Sequence, residues 1–330
     1  MKLIISIIFT SCLFATGKYG DSFLRIGSSA RDIGLGQAIV ADMANPSGFN
    51  VSPATIANIN TRTFYLLLIN QYGLAEYYSS GIILPFKNEQ FLSINISGII
   101  IDNIKLRPDI GNLSTQEARR DMARGLFANG YENFDNIEFA LTSTFAKVKK
   151  GTLNMGFNYY PYEMPLGANI KMIRKKLHNN EAFGIGLDLG GIFAIELSEV
   201  FNYENIGKLS FGLSINNLNN THLFWSNKIK DIIPTQLISG FSYHHSLDAI
   251  HSDILFLVQN NNLFPKERQY GIELTIIKKL FLRIGSRAGF NQGGLGFSTK
   301  LEKIKNIRLD YSFGGHDLGD AHRIGFEIRF

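Results

Sequence analysis

The chain has 330 residues, of which 45% are hydrophobic and 18% are charged, and its formal net charge is +5. Its basic residues are scattered, which excludes the clustered basic surface that a nucleic-acid-binding protein needs. After the N-terminus, no apolar run approaches the length of about 18 residues that a membrane-spanning helix requires. The composition therefore argues against both a nucleic-acid-binding protein and a helical membrane protein.

The first 17 residues are typical of a cleaved export signal. Lys2 supplies a positive start, Leu3–Phe14 form an apolar stretch, and Ala15-Thr16-Gly17 is a plausible cleavage site. The apolar stretch is too short to span a bilayer comfortably as an anchor. Cleavage removes Cys12, the only cysteine, so we expect a mature chain with no disulfide and no thiolate metal site.

Residues 18–61 show no alternation and are rich in glycine, alanine and serine. They predict either a plug inside a barrel or a periplasmic tail. From residue 62 to residue 330, apolar residues alternate with small or charged ones, as in 208–217, and this period of two indicates half-buried strands. We predict an all-β, transmembrane antiparallel β-barrel over 62–330. A soluble exported β-protein is the weaker alternative.

The number of candidate strands bears on this prediction. Fifteen candidates can be counted, but bacterial single-chain barrels have even numbers of strands. We therefore predict about fourteen strands, with 151–177 forming one bent strand that is broken near Pro161 and Pro165. The same parity makes Lys278-Lys279 a periplasmic turn and places 314–320 and 102–135 outside. The candidates are 62–70, 75–85, 90–101, 136–147, 151–160, 166–177, 182–195, 208–217, 235–244, 252–260, 268–277, 279–287, 293–301, 305–313 and 321–330.

The long connection 102–135 is predicted to contain one short helix. Ser114 and Glu117 have the spacing of a capping box, and the helical pattern ends at about Asn129. We interpret this segment as a long extracellular loop.

Charged residues on the polar face of the last two strands form a candidate site. A buried ion without a partner is costly, so these groups are expected to pair or to line water. They predict either a structural charge ladder across the last hairpin or the polar lining of a pore. The residues are Arg308, Asp310, Arg323, Glu327 and Arg329.

The sequence contains no recognisable catalytic or metal-binding pattern. His244, His245 and His251 straddle a predicted turn, and adjacent strand residues point to opposite faces, which argues against a shared metal ion. His316-Asp317 has no serine at a recognisable nucleophile elbow. We predict no enzymatic activity, no cofactor and no metal site.

The segment "FLRIGSSARDIGLGQAIVADMANPSGFNVSPATIANI", from Phe23 to Ile59, is the most specific stretch in the chain. It resembles the N-terminal signature of the PorV/PorQ family of outer-membrane barrels, which are related in architecture to FadL-type transporters. Later stretches such as "LSFGLSINNLNN" and "LDYSFGGHDLGDAHRIGFEIRF" resemble the family in the same order. The N-terminal positions that match are Ala30, Arg31, Gly34, Gly36, Asp42 and Pro53.

The resemblance implies a FadL-like barrel of the bacterial outer membrane, with an N-terminal segment entering the lumen. It implies an adaptor role in type IX protein secretion or surface attachment, with outer-membrane lipid, secreted cargo or secretion-machine subunits as partners. The alternative is a FadL-like channel for small hydrophobic molecules. Large exposed apolar loops would favour docking of cargo, whereas a narrow apolar pocket beside the N-terminal segment would favour transport.

The chain ends in the clearest alternating stretch, "HRIGFEIRF". Its apolar residues are expected to face lipid while the strand pairs with residues 62–70 and closes the ring. The resemblance implies that the barrel-assembly machinery reads an alternating apolar strand that ends in an aromatic residue. We therefore predict that Phe326, Ile328 and Phe330 act as an assembly signal.

Overall fold

The computed structural model describes residues 20–106, 112–156, 158–201, 203, 206–301, 304–316 and 319–330. Strands dominate these residues, and the few helices lie before, between or beside them. The strands are β1 Thr63–Gln71, β2 Ala75–Phe86, β3 Gln90–Lys105, β4 Asn133–Met155, β5 Asn158–Leu177, β6 Asn180–Glu196, β7 Lys208–Asn216, β8 Thr221–Trp225, β9 Lys230–Ile233, β10 Gln236–Leu247, β11 Ser252–Asn261, β12 Gln269–Ile276, β13 Leu280–Arg287, β14 Phe290–Leu301, β15 Ile304–His316 and β16 Gly319–Arg329. The α-helices are α1 Ala30–Gly34, α2 Gln116–Asn129 and α3 Leu197–Phe201, and the 3₁₀ turns are Ser22–Arg25, Gly48–Asn50, Pro53–Ile56 and Asp248–Ile250.

All the strands except β8 and β9 form a closed antiparallel ring of fourteen. The ring closes because β1 pairs with β16, from Thr63 opposite Arg329 to Asn70 opposite His322. β8 and β9 form a short hairpin that pairs with β6 beyond the end of β7. Closure leaves the ring without an unpaired edge, which is the condition for a sheet to stand in lipid. The predicted barrel of about fourteen strands is confirmed.

The prediction of one bent strand over 151–177 is wrong. Residues 151–155 complete β4, and the chain reverses at Gly156, whose φ is +68°, before β5 begins. Pro161 and Pro165 lie inside β5, opposite Thr152 and Val148 of β4. A proline is tolerated where the ladder does not need its missing N–H, and the pairing of β5 with β6 omits residues 164–165. The prolines therefore do not end the strand.

Helix α2 lies where the sequence predicts a helix, but its cap is different. The Thr115 side chain accepts a hydrogen bond from the Ala118 backbone N–H at 3.2 Å, so Thr115 is the N-cap residue. Glu117 then lies too early in the helix to complete a capping box with Ser114. The predicted Ser114–Glu117 box is wrong because the helix begins one residue later than that box requires, with Thr115 as its N-cap.

Among the described residues, no helix is long and apolar enough to cross a membrane.

The two ends of the barrel differ in the length of their connections. We call the end where β1 starts and β16 finishes the terminal end, and the opposite end the loop end. The loop end carries the long connections 106–132 and 217–235, whereas most turns at the terminal end are short. Outer-membrane barrels have short periplasmic turns and longer extracellular loops. This difference favours the loop end as the outer one. The connections within 102–135 and 314–320 both lie at the loop end, and their position outside the cell stays a prediction.

The facing of the strands follows the alternation in the sequence. In β7, Phe211 and Leu213 are 37% and 40% exposed on the outer surface, while Ser210, Gly212 and Ser214 face the lumen and are buried. The same pattern recurs around the ring and gives the barrel an apolar outer belt. Outward residues include Leu68, Ile94, Phe145, Ile170, Ile185, Phe241, Ile284, Phe297, Phe313 and Ile324.

Replacing a residue of this outer belt with a charged one tests the facing directly. We expect Phe211→Arg to lower the free energy of unfolding by about 2–4 kcal/mol, because the charge would lie near the bilayer midplane. The measurement is urea unfolding in lipid bilayers, with Phe211→Leu as the control. Equal stability of the two variants would show that residue 211 does not face lipid.

Removing the last residue separates assembly from stability. Phe330 is exposed on the outer surface, and its backbone N–H donates to the Arg62 carbonyl at 2.9 Å beside the closing seam. We expect deletion of Phe330 to reduce the yield of assembled barrel in outer membranes far more than it shifts the unfolding midpoint of purified barrel. Unchanged yield would mean that Phe330 is only one more lipid-facing residue.

Candidate functional site

The residues from Gly20 to Arg62, which we call the lumenal segment, lie inside the barrel. At the loop end, Lys175 Nζ of β5 donates to the Gly20 carbonyl. At the terminal end, Phe49 and Ile56 pack against Tyr65 and Ile83 of the wall. Of the two positions predicted for residues 18–61, plug or periplasmic tail, the structure places the described ones in the lumen.

Glycines of the wall allow the lumenal segment to lie close to the strands. A Cβ atom at Gly285 would lie 2.2 Å from the Gly36 backbone nitrogen, and one at Gly212 would lie 2.3 Å from the Val40 carbonyl oxygen. Gly36 itself has a φ of +63°, so glycine is also the favoured residue on the segment side. The other wall glycines that a Cβ would bring into contact with the segment are Gly167, Gly190, Gly240, Gly271 and Gly325.

A chain of buried ion pairs joins the lumenal segment to the wall. Arg31 of the segment donates to both carboxylate oxygens of Glu273 on β12, through Nη2 at 2.8 Å and Nε at 3.0 Å. Glu273 also accepts from Arg283 Nε on β13, whose Nη1 lies 2.7 Å from Asp310 Oδ1 on β15. Four guanidinium groups alternate with four carboxylates, so their formal charges cancel. In order, this ion-pair chain is Asp42, Arg31, Glu273, Arg283, Asp310, Arg308, Glu327 and Arg329.

Burial sets the charge states within the lumenal segment. Burial alone would lower the pKa of Arg31, but the adjacent carboxylates of Asp42 and Glu273 raise it well above its ordinary value. Burial raises the pKa of the Asp32 carboxyl, and Arg31 together with hydrogen bonds from Ser47 and Asn45 offsets part of that rise. Arg31 therefore remains a cation that the wall carboxylate can hold.

A second set of contacts holds a different part of the segment, at other strands of the wall. Asn169 Nδ2 of β5 donates to the Phe49 carbonyl at 2.8 Å, and Asn216 Nδ2 of β7 donates to the Asn50 carbonyl at 2.9 Å. The side chain of Asn169 also donates to Asp188, at 2.9 Å. Buried amides that bond to backbone carbonyls fix the segment as well as satisfying its polar groups. The segment is therefore held on two sides of the lumen.

Five of the six residues of the N-terminal motif contact the wall, and the sixth, Asp42, contacts Arg31 within the segment. Ala30 lies close to Gly325 of the wall, and Gly34 lies beside Gly294. Pro53 lies against Gly167 and Gly190. Gly36, Arg31 and Asp42 make the contacts described above. The spacing of the motif therefore corresponds to places where the segment and the wall must fit closely.

The structure brings together four of the five residues of the predicted charge ladder: Arg308, Asp310, Glu327 and Arg329. Arg323 lies apart, because the strand register sets Arg308 opposite Glu327 but sets Arg323 opposite Ser312. Glu273 and its link to Arg31 were not predicted from the sequence. The signal that could have found Glu273 is its position on the polar side of the alternating strand 268–277.

The lumenal segment separates two cavities. The one toward the terminal end has a volume of about 350 Å³ and is lined by Arg31, Asp42, Lys208, His244 and Asp253 among others. The one at the loop end, which we call the vestibule, has a volume of about 470 Å³. Both combine charged or amide side chains with apolar area, and neither is a purely apolar pocket.

The three residues of the predicted assembly signal lie on the outer side of β16. Phe326 and Ile328 are partly covered, and Phe330 is exposed. Their lumenal neighbours Gly325 and Glu327 are buried. This placement supplies the apolar face that the prediction requires, and the role of that face in assembly stays a prediction.

A scan of protein-family models and a search of curated proteins find no match to the chain. Among solved structures, the Pseudomonas putida toluene transporter TodX is 9% identical, with 92% of this chain and 96% of that chain covered and a TM-score of 0.42. A TodX deltaS2S3 mutant, described as a monoaromatic hydrocarbon channel, is 10% identical, with 88% and 97% covered and a TM-score of 0.39. The KdgM porin in complex with disordered oligogalacturonate is 10% identical, with 82% and 99% covered and a TM-score of 0.32.

The fold of this chain is established by its own strand pairing rather than by these distant neighbours. The closed ring satisfies the backbone hydrogen bonds of the wall, and the outer belt is apolar. The chain is a fourteen-stranded β-barrel of the bacterial outer membrane, with a segment of its own N-terminal region inside the lumen.

Proposed function

We propose that the protein is an outer-membrane channel for small solutes whose lumen is closed by the lumenal segment. The observation that carries the proposal is the pair of cavities on either side of that segment. Each is large enough for a small molecule, and Arg31, Asp42 and their ion-pair partners lie between the two ends of the barrel. A solute can pass only if the segment moves, so the ion-pair chain holds the channel closed.

Locking the segment to the wall tests this proposal. An ideal Cβ atom at Gly325 lies 3.1 Å from the Ala30 Cβ atom, close to the usual separation of about 3.5–4.5 Å in a disulfide. The variant Ala30→Cys/Gly325→Cys is therefore expected to cross-link when oxidised. We expect conductance events in planar bilayers from the reduced variant and silence from the oxidised one, with each single-cysteine variant as a control.

Two results of this experiment would contradict the proposal. Equal conductance in both redox states would mean that the segment is not the gate. Silence in both states, with the wild-type protein also silent, would mean that the barrel is not a channel.

A second candidate function is the adaptor role that the PorV/PorQ resemblance implies, in type IX secretion or surface attachment. One observation favours it: α2 projects from the loop end with Phe127 83% and Met122 47% exposed. Single exposed apolar residues are common on protein surfaces, so the adaptor role requires that these two side chains belong to one docking patch. Loss of surface attachment of secreted proteins after Phe127→Ser/Met122→Ser, with conductance unchanged, would support this role.

A further inference from the structure

The vestibule at the loop end is formed by several connections of the barrel together with the start of the lumenal segment. Tyr72 follows β1, Ala288 precedes β14 and Glu267 precedes β12, so the cavity lies at the outer opening. Its lining includes three arginines, Arg25, Arg287 and Arg323, beside the carboxylate of Glu267. Its volume of about 470 Å³ is ample for one small molecule.

Arg323 is the exceptional residue of this lining. It is 6% exposed, yet within the described part of the chain it has no carboxylate partner. Its Nη1 donates only a long bond of 3.3 Å to the Ala321 carbonyl, and its Nε is buried without a hydrogen-bond partner. A buried guanidinium without a counter-ion lowers stability, and an anion bound from solution would supply that counter-ion.

The other two arginines of the vestibule are already paired. Arg25 Nη2 lies 2.7 Å from Glu267 Oε2, and its guanidinium stacks over the Phe264 ring at 3.5 Å. Arg287 lies 3.5 Å from the same carboxylate and donates to the Arg25 carbonyl at 2.7 Å. One carboxylate therefore serves two guanidinium groups, and the positive charge of Arg323 adds to an existing excess.

Two glutamine side chains of the same lining have amide oxygens that accept no hydrogen bond from the part of the chain that the structure describes. The Oε1 atoms of Gln71 and Gln292 are buried, and no group of the described residues donates to them. Buried acceptors are normally satisfied, and a hydroxyl of a ligand is a suitable donor. The lining thus combines a cation that fits a carboxylate with acceptors that fit hydroxyl groups.

We infer that the vestibule binds a small hydroxylated carboxylate, such as a sugar acid, with its carboxylate on Arg323 and hydroxyl groups toward Gln71 and Gln292. The planar guanidinium matches a carboxylate through two parallel hydrogen bonds. The inferred binding depends only on the residues of the vestibule. A role for this ligand as the transported solute would also depend on the proposed function.

The test is isothermal titration calorimetry of the purified barrel in detergent, with sodium glucuronate as the probe. We expect glucuronate to bind and glucose, which lacks the carboxylate, not to bind. Arg323→Met is expected to weaken glucuronate binding at least about tenfold, because charge-assisted hydrogen bonds are lost. Arg323→Lys keeps the charge but loses the two parallel hydrogen bonds of the guanidinium, so we expect an intermediate affinity for glucuronate. Arg174→Met removes an exposed loop-end arginine that pairs with Glu181 and should leave the affinity unchanged.

Folding of the variants is checked separately from binding. Arg323→Met removes an unpaired buried charge and should keep the heat-modifiable mobility and unfolding midpoint of the wild-type barrel, or raise that midpoint. Equal glucuronate affinity in wild type and Arg323→Met, or no glucuronate binding to the wild type, would overturn the inference. Inorganic phosphate or acetate binding as tightly as glucuronate would overturn the assignment to hydroxylated carboxylates. The conductance of the locked and reduced barrels is measured independently, so either proposal can fail without the other.

Discussion

Replacing Arg31 with methionine is expected to lower the free energy of unfolding by about 3–5 kcal/mol, since it leaves Asp42 as a buried carboxylate without its cation. Glu273 keeps Arg283 as a partner, so the loss falls mainly on the attachment of the lumenal segment. The same variant should conduct more often in planar bilayers than the wild-type protein. Unfolding can be followed by fluorescence of Trp225, which packs near the start of the segment.

Two further variants identify the cause of the Arg31→Met effect. Adding Asp42→Asn removes the unpaired charge and should restore part of the lost stability. Lys150→Met breaks the ion pair with Glu89, in which both side chains are about half exposed, and should cost less than about 1 kcal/mol. A loss for Arg31→Met no larger than that for Lys150→Met would mean that Arg31 does not hold the segment.

The substitution Gly285→Val is expected to displace the lumenal segment from its contact with β13. The new side chain would begin 2.2 Å from the Gly36 nitrogen, and this backbone atom has no rotamer that could move away. Overpacking in a well-packed interior costs about 1–3 kcal/mol when the neighbours can adjust. Here we expect the larger change to be exposure of the segment, measured as trypsin cleavage after Arg25 or Arg31 in the intact barrel.

Gly125→Val is the matched control for this substitution. Gly125 lies in α2, and a Cβ there meets no atom within 4 Å. Trypsin should therefore cleave the segment of the control no faster than that of the wild type. If Gly285→Val protects Arg25 and Arg31 as well as the control does, the close approach of Gly36 to β13 is contradicted.

The strands of the wall were predictable from the sequence because the two faces of each strand have different surroundings. One face of each strand meets lipid and the other meets a narrow lumen, so the chain must alternate apolar residues with small or polar ones. This signal located most strands to within a few residues. It failed at 151–177, where alternation runs through the turn at Gly156 and two prolines suggested a break in the wrong place.

The candidate site was less predictable because it depends on strand register. Arg323 and Glu327 lie on the same face of β16, but four residues of strand separate them by about 13 Å. Only the pairing of β15 with β16 reveals that Arg308 reaches Glu327 and that Arg323 belongs to the vestibule. The bond between Arg31 and Glu273 joins positions 242 residues apart, and no local pattern encodes it.

The most direct test of the account is whether the lumenal segment lies against the inner side of β16 in the native membrane. The measurement is disulfide formation in isolated outer membranes, mapped by mass spectrometry after proteolysis. We expect a bond in Ala30→Cys/Gly325→Cys and none in Ala30→Cys/Ile324→Cys, because Ile324 faces lipid and is 59% exposed. A bond in the second variant and not in the first, or in neither, would contradict the placement of the segment inside the barrel.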